Sequence, residues 1–326
     1  MILNMILQSL IAALAITESG DTLVNENSRN LMIPASNMKV LTTGTALHTL
    51  GGNYRWETAI GYSGRIEGST LKGDIYIIGG GDPTIGAAVE FAEPLEDVLE
   101  AWTGIIAGAG IRRIDGHIIG DGRFFEGPME DQTWLWEDLG TYYGAGVSGL
   151  SFFENRKVFR VTPGDGIGDP VSVEDGFPKT PWMEFSCDGA STGRPGTGDQ
   201  LYLFTSRLAP VGELRGTFAQ GKRTKDVQCS NKFPEYTCAS YLAGYLPSKG
   251  IISTMGPADV GSIFKADRTV PREEIRIIGR TKSPILAKVI RQTNVESDNF
   301  MAETLFRTMG RKNGGRGTME ESRMNM

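Results

Sequence analysis

The chain has 326 residues, 40% of them hydrophobic, with 43 glycines and 15 prolines. That is enough chain for two or more cores and too much glycine for a mainly helical protein, so a mixed α/β (α+β) protein rich in turns is expected. A net charge of −6, a pI near 5.2 and the lack of any Lys/Arg run exclude a phosphate backbone, and with it nucleic acid, as a partner.

In chain order, Met1–Thr17 is apolar but lacks the basic residues that open an export signal, and Asn4, Gln8 and Ser9 make it too polar to span a bilayer. A packed helix leading into a strand is expected there, ahead of a degenerate export signal. Next comes Pro34-Ala35-Ser36-Asn37-Met38-Lys39. A helix starting at Ser36 places Lys39 one turn on and on the same face, so the amine can reach the hydroxyl. The helix N-terminus also offers N–H groups and a positive dipole end to charge developing during acyl transfer. Met38, Val40, Leu41, Ala46, Leu47 and Leu50 then form an apolar helical stripe that Gly51-Gly52 ends. The pair therefore reads as the nucleophile and base of a serine acyl enzyme. A second S-x-x-K, Ser262-Ile263-Phe264-Lys265, runs into Pro271 without such a stripe.

Histidine cannot replace the lysine. His48 lies on the same helix, about 18 Å along its axis from Ser36, and His117 alternates like a strand residue in Ile114–Ile119. No G-x-S-x-G lies near His117, and there is no H-E-x-x-H and no Cys/His cluster, so neither a Ser-His-Asp triad nor a metal site is expected, and no cofactor is implied. Of the three cysteines, Cys229 and Cys238 are close enough in sequence for a loop-closing disulfide, and buried thiols are the equal alternative.

Arg55–Tyr62 and Leu71–Ile78 read as strands. The glycine-rich Gly79-Gly80-Gly81-Asp82-Pro83-Thr84 that follows fits neither a dinucleotide fingerprint nor a P-loop, and is better a tight turn between domains. Leu95–Ala109 is expected as a helix and Arg113–Ile119 as a strand. Pro163 to Thr197 is dense in Gly, Pro and Asp and reads as loops or short strands. A helix is expected over Tyr236–Gly250 and a strand over Glu273–Ile278. Pro284 suits the first residue of a helix, and after the Ser297-Asp298-Asn299 loop comes a last helix that Gly310 stops.

Pro34–Gly51, the Gly79–Thr84 turn, Trp134-Leu135-Trp136-Glu137-Asp138 and Ser283–Gly310, in that order, resemble the low-molecular-mass class C penicillin-binding proteins, the serine D-alanyl-D-alanine carboxypeptidases/endopeptidases of peptidase family S13. The resemblance implies a penicillin-recognising serine transpeptidase/β-lactamase-like domain, split by accessory domains inserted between S-x-x-K and S-x-N. The corresponding division is 1–63 and 272–326 for the split domain and 64–271 for the inserted ones. It also implies Ser36 as acylated nucleophile, Lys39 as general base, Ser297 as proton donor to the leaving amine and Asn299 as holder of the substrate amide carbonyl. Asp138 and Tyr143 match the pair that in the family recognises the free amino end of the peptide stem. Peptidoglycan stem peptides and β-lactams would be the ligands and the periplasm or cell envelope the location, with peripheral membrane association left open.

One departure stands out. The family's Lys-Thr-Gly motif should follow Ser297, and no such tripeptide occurs; Lys179-Thr180-Pro181 precedes Ser297 and ends in a residue that cannot donate to a sheet. A C-terminally truncated chain is the expectation, with a non-catalytic homologue that binds peptidoglycan or a partner as the alternative reading.

Overall fold

The computed structural model describes residues 12–326, so the helix expected at the N-terminus lies outside the described residues. The chain divides into two compact units, Met1–Leu41 and Thr42–Met326. In the first, the antiparallel strands Ala13–Ile16 and Thr22–Glu26 form a ribbon closed by a turn in which Thr17 N–H donates to the Asp21 carbonyl at 2.8 Å.

The second unit is organised by two sheets that share their chains. The larger has the order Pro257–Asp259, Ile118–Asp121, Ile75–Ile78, Glu57–Tyr62, Arg276–Lys282, parallel across the first three strands and antiparallel thereafter. The smaller has the order Ile252–Ser253, Arg113–Ile114, Thr70–Lys72, Arg65–Glu67. Three chains pass from the small sheet to the large one through a glycine corner, at Gly73, Gly116 and Gly256. At Gly116 a Cβ would sit 2.1 Å from the Gly73 carbonyl oxygen, so two corners pack backbone against backbone. The single strands expected over Leu71–Ile78 and Arg113–Ile119 are therefore each two strands in two sheets. Hydrophobic alternation cannot show this, because it continues across the corner. The helices Leu95–Gly108 and Pro234–Tyr245 cover these sheets, burying Leu99, Trp102, Ile106 and Leu242 with Ile60, Ile75, Ile77 and Ile118. The large sheet takes strands from either side of both positions, 63/64 and 271/272, where the sequence suggested boundaries.

A further pair of three-stranded sheets lies within residues 156–230. Arg156–Thr162 sits between Ser172–Asp175 and Lys225–Ser230, and Ala209–Ala219 sits between Glu184–Gly193 and Tyr202–Ser206. Phe159, Val161, Leu203, Leu214, Phe218 and Val227 fill their common core. The ten-residue strand Glu184–Gly193 replaces the loops or short strands expected there: its Gly, Ser and Thr hide the pattern, and parallel pairing with Val211–Ala219 supplies the order. Cys229 belongs to this core and Cys238 to that of the Pro234–Tyr245 helix, so all three cysteines are free thiols and the disulfide is not formed.

The helices Leu286–Val295 and Asn299–Met309 bury Leu286, Val289, Met301, Leu305 and Met309 against Trp56 and Ala46. Pro284 stands just before the first of these rather than inside it. Gly310 closes the second in right-handed geometry, and Thr318 and Glu321 form a reciprocal cap that starts the helix Met319–Asn325. Among the described residues, no helix is long and apolar enough to cross a membrane.

Candidate functional site

Ser36 lies in a 3-10 turn, Ala35–Asn37, and the α-helix proper runs from Met38 to Leu50. Lys39 is thus in the first α-turn, and its Nζ donates to the Ser36 Oγ at 3.3 Å. Ala35, the residue before the nucleophile candidate, holds φ +46° without being glycine. Such a backbone costs of order 1 kcal/mol and survives only where its surroundings impose it. Of the expected apolar stripe, only Ala46 and, in part, Leu50 are buried. Thr42, Thr43 and Ala46 point inward, while Met38, Val40, Leu41 and Leu47 are exposed. The buried positions recur at helical spacing from Lys39, so the helix is oriented by its small residues.

The competing Ser262 serves a local purpose: its hydroxyl donates to Asp259, whose other oxygen accepts the Ser262 N–H at 2.7 Å. The glycine-rich segment is likewise structural. Gly79 N–H donates to the Asp121 carbonyl and Gly81 N–H to that of Gly149, so both donors are used within the protein. Asp82 there accepts from the Thr84 N–H and hydroxyl, and burial pushes its carboxyl up to about 6.

In the second unit four of the sequence-derived residues come together. Ser297 has φ +55°, and Asp298 caps the helix that follows, its Oδ1 accepting the Met301 N–H at 2.9 Å. Asn299 is that helix's first residue, and its Nδ2 donates to the Tyr143 carbonyl at 3.2 Å. The Tyr143 hydroxyl donates to Asp138 Oδ1 at 3.0 Å, joining the pair whose sequence link was only a five-residue spacing. Burial and that hydrogen bond both hold the Tyr143 phenol above its ordinary value. Ser297, Asn299 and Tyr143 line a cleft of about 310 Å³, and Tyr142 and Tyr143 separate it from a wider groove of about 770 Å³ that Asp138 lines.

Sequence reasoning missed Glu154 and Arg156, which line the smaller cleft. The Arg156 Nη2 donates to Glu154 Oε1 at 3.0 Å and to Asp298 Oδ2 at 3.1 Å, and its guanidinium lies 5.5 Å from the Tyr142 ring centre. Burial, opposed by Arg156 and reinforced by the Asp298 charge, raises the Glu154 carboxyl to about 7. Phe153, Glu154 and Asn155 all have φ near +50°. No sequence signal announces three left-handed residues without glycine; the one signal available, an Asp before an apolar helical run at Asp298, went unread.

The fold is shared with penicillin binding protein 4 (dacB) from Haemophilus influenzae, whose crystal structure superposes with a TM-score of 0.71 at 18% identity over 94% of this chain and 64% of that one. A second structure of that protein, in complex with a β-lactam, gives 0.68 at 15% identity, covering 96% and 64%. At the level of sequence, residues 6–324 match the D-Ala-D-Ala carboxypeptidase 3 (S13) family, and the chain belongs to it. It is 26% identical over 322 residues to the D-alanyl-D-alanine carboxypeptidase of Actinomadura sp. (strain R39), covering 93% of this chain and 54% of that protein. It is also 26% identical over 286 residues to the D-alanyl-D-alanine carboxypeptidase DacB of Haemophilus influenzae, covering 87% and 55%. The chain thus spans about half the length of the curated relatives it matches.

Proposed function

We propose that this chain is a serine-type D-Ala-D-Ala carboxypeptidase/endopeptidase that acts in the periplasm or cell envelope on peptidoglycan stem peptides through an acyl-enzyme on Ser36. The observation that carries the reading is the 3.3 Å approach of Lys39 Nζ to Ser36 Oγ at the start of an α-helix. Lys39 Nζ takes the hydroxyl proton as Ser36 Oγ attacks the scissile carbonyl. The Ser36 N–H supports the oxyanion that forms. The C–N bond then breaks as Ser297 donates its proton to the departing amine and is reprotonated with the one Lys39 took up, while Asn299 holds the substrate's amide carbonyl. Water attacks the ester, returning Ser36 and releasing the shortened peptide. Asp138, oriented by the Tyr143 hydroxyl, meets the free amino group of the stem peptide by charge-assisted hydrogen bonding. A β-lactam presents a strained amide to the same Ser36 and stays attached as an acyl group.

Labelling with a fluorescent penicillin, followed by peptide mapping and by assay of D-alanine release from a stem-peptide analogue, tests the reading. Label on Ser36 and release of D-alanine support it. Label on Ser262 or elsewhere sinks the assignment, and retention on peptidoglycan without acylation identifies a binding protein instead.

A further inference from the structure

Ser297 is held in the left-handed region at φ +55°, where a serine does not rest unaided. Its neighbour Asp298 ties this turn to both of its surroundings. Oδ1 caps the helix that carries Asn299, and Oδ2 accepts from Arg156, 142 positions earlier in the chain. Arg156 itself opens the strand Arg156–Thr162, a rigid element paired on both edges. It reaches both walls of the cleft: Asp298 on the Ser297 side, and the Tyr142 ring on the side that presents the Tyr143 carbonyl to Asn299. Its other anchors are Glu154 at 3.0 Å and Gln228 at 3.2 Å. The side chains of Glu154 and Asp298 are only 2% and 5% exposed, so these contacts are shielded from water.

Charge decides what Arg156 is for. Two carboxyl groups already face its single guanidinium, so it has no excess positive charge with which to bind a substrate carboxylate. A planar fork that reaches three acceptors and an aromatic face in fixed geometry instead suits the fixing of one loop against another. Resting on the acyl-enzyme reading above, we propose that Arg156, anchored by Glu154, is a positioning residue that sets the Ser297–Asn299 turn through Asp298, and so holds Ser297 and Asn299 in register with the Tyr142–Tyr143 wall.

The test combines amide hydrogen exchange with the kinetics of acylation by a fluorescent penicillin, on the full chain and on Arg156→Met, Arg156→Lys and Asp298→Asn. Asp298→Asn keeps a side chain that caps well while discharging the partner, so it reports on the ion pair even if Arg156→Met folds poorly. The expected result is at least tenfold faster exchange at the Met301 and Ala302 amides, with protection of the Leu95–Gly108 helix unchanged. Acylation at saturating penicillin falls at least tenfold, the half-saturating concentration shifts less than threefold, and Arg156→Lys recovers only part of the rate. Unchanged exchange at Met301 in both Arg156→Met and Asp298→Asn, or full recovery by lysine, overturns the proposal. If the unsubstituted chain takes up no penicillin, the functional reading fails by itself, and the exchange data still decide whether Arg156 holds the turn.

Discussion

Gly80→Ala puts the close packing of the glycine turn to a quantitative test. A Cβ at position 80 would lie 2.1 Å from the Glu57 carbonyl oxygen and 3.1 Å from its carbon. Ordinary carbon–oxygen contact needs more than 3 Å, so an overlap of over an ångström must be relieved by moving backbone. Neither side yields easily: Glu57 begins the strand that pairs with both Ile75–Ile78 and Arg276–Lys282, and Gly80 is flanked by amides bonded to Asp121 and Gly149. Overpacking of this kind costs about 3 kcal/mol, which in a chain of this size lowers the melting temperature by roughly 4 °C. Gly104→Ala is the matched control. Position 104 lies within the Leu95–Gly108 helix with nothing within 4 Å of the added carbon, so the same methyl should stabilise by about 0.5–1 kcal/mol. Scanning calorimetry and urea unfolding of the two variants read both signs. A loss below about 1 kcal/mol for Gly80→Ala, or a larger loss for Gly104→Ala, would falsify the account of this segment as a backbone crossing rather than a ligand loop.

Ser36→Ala and Lys39→Ala should each abolish penicillin labelling while leaving the thermal transition within a few degrees, because Ser36 is exposed and Lys39 is only half-buried; residual label in Lys39→Ala would show that another base serves. Asp138→Asn should raise KM for stem peptides with a free amino group by about tenfold, in keeping with the loss of one charge-assisted contact, and should leave peptides with a blocked amine unaffected; equal effects on the two would remove Asp138 from recognition. Glu154 is held at about 7 against an ordinary 4.5, so the folded state binds the extra proton. Its contribution to stability is therefore complete below about 4.5 and is lost as pH rises through about 7, by roughly 1–3 kcal/mol. Glu154→Gln should flatten that decline, and an unchanged pH profile of unfolding would count against the buried carboxyl. Cys229 and Cys238 are buried, with the Cys229 thiol pushed up to about 12, so under non-reducing conditions a thiol reagent should add three groups after denaturation and at most one, on Cys187, before it; mass spectrometry showing one group in the denatured chain would reveal a disulfide.

What could be read from the sequence is what depends on neighbours along it. The helix Leu95–Gly108 was legible because 3.6-residue periodicity needs only its own residues. Ser36 and Lys39 were legible as a pair because one helical turn brings them together wherever the rest of the chain goes. The corners at Gly73 and Gly116 were not legible, since apolar alternation runs straight through them and only pairing with distant strands sends each half to a different sheet. Glu184–Gly193 has too few apolar residues to mark a strand and is ordered by the parallel partner it meets. Glu154 and Arg156 could not be found at all. The left-handed turn before Arg156 runs against the backbone preference of Phe153 and Glu154, and the Asp298 that Arg156 holds is brought near by long-range packing that stores this local strain. Tertiary structure decided that part of the site because the energy that fixes it comes from contacts between segments, and no single segment contains both partners.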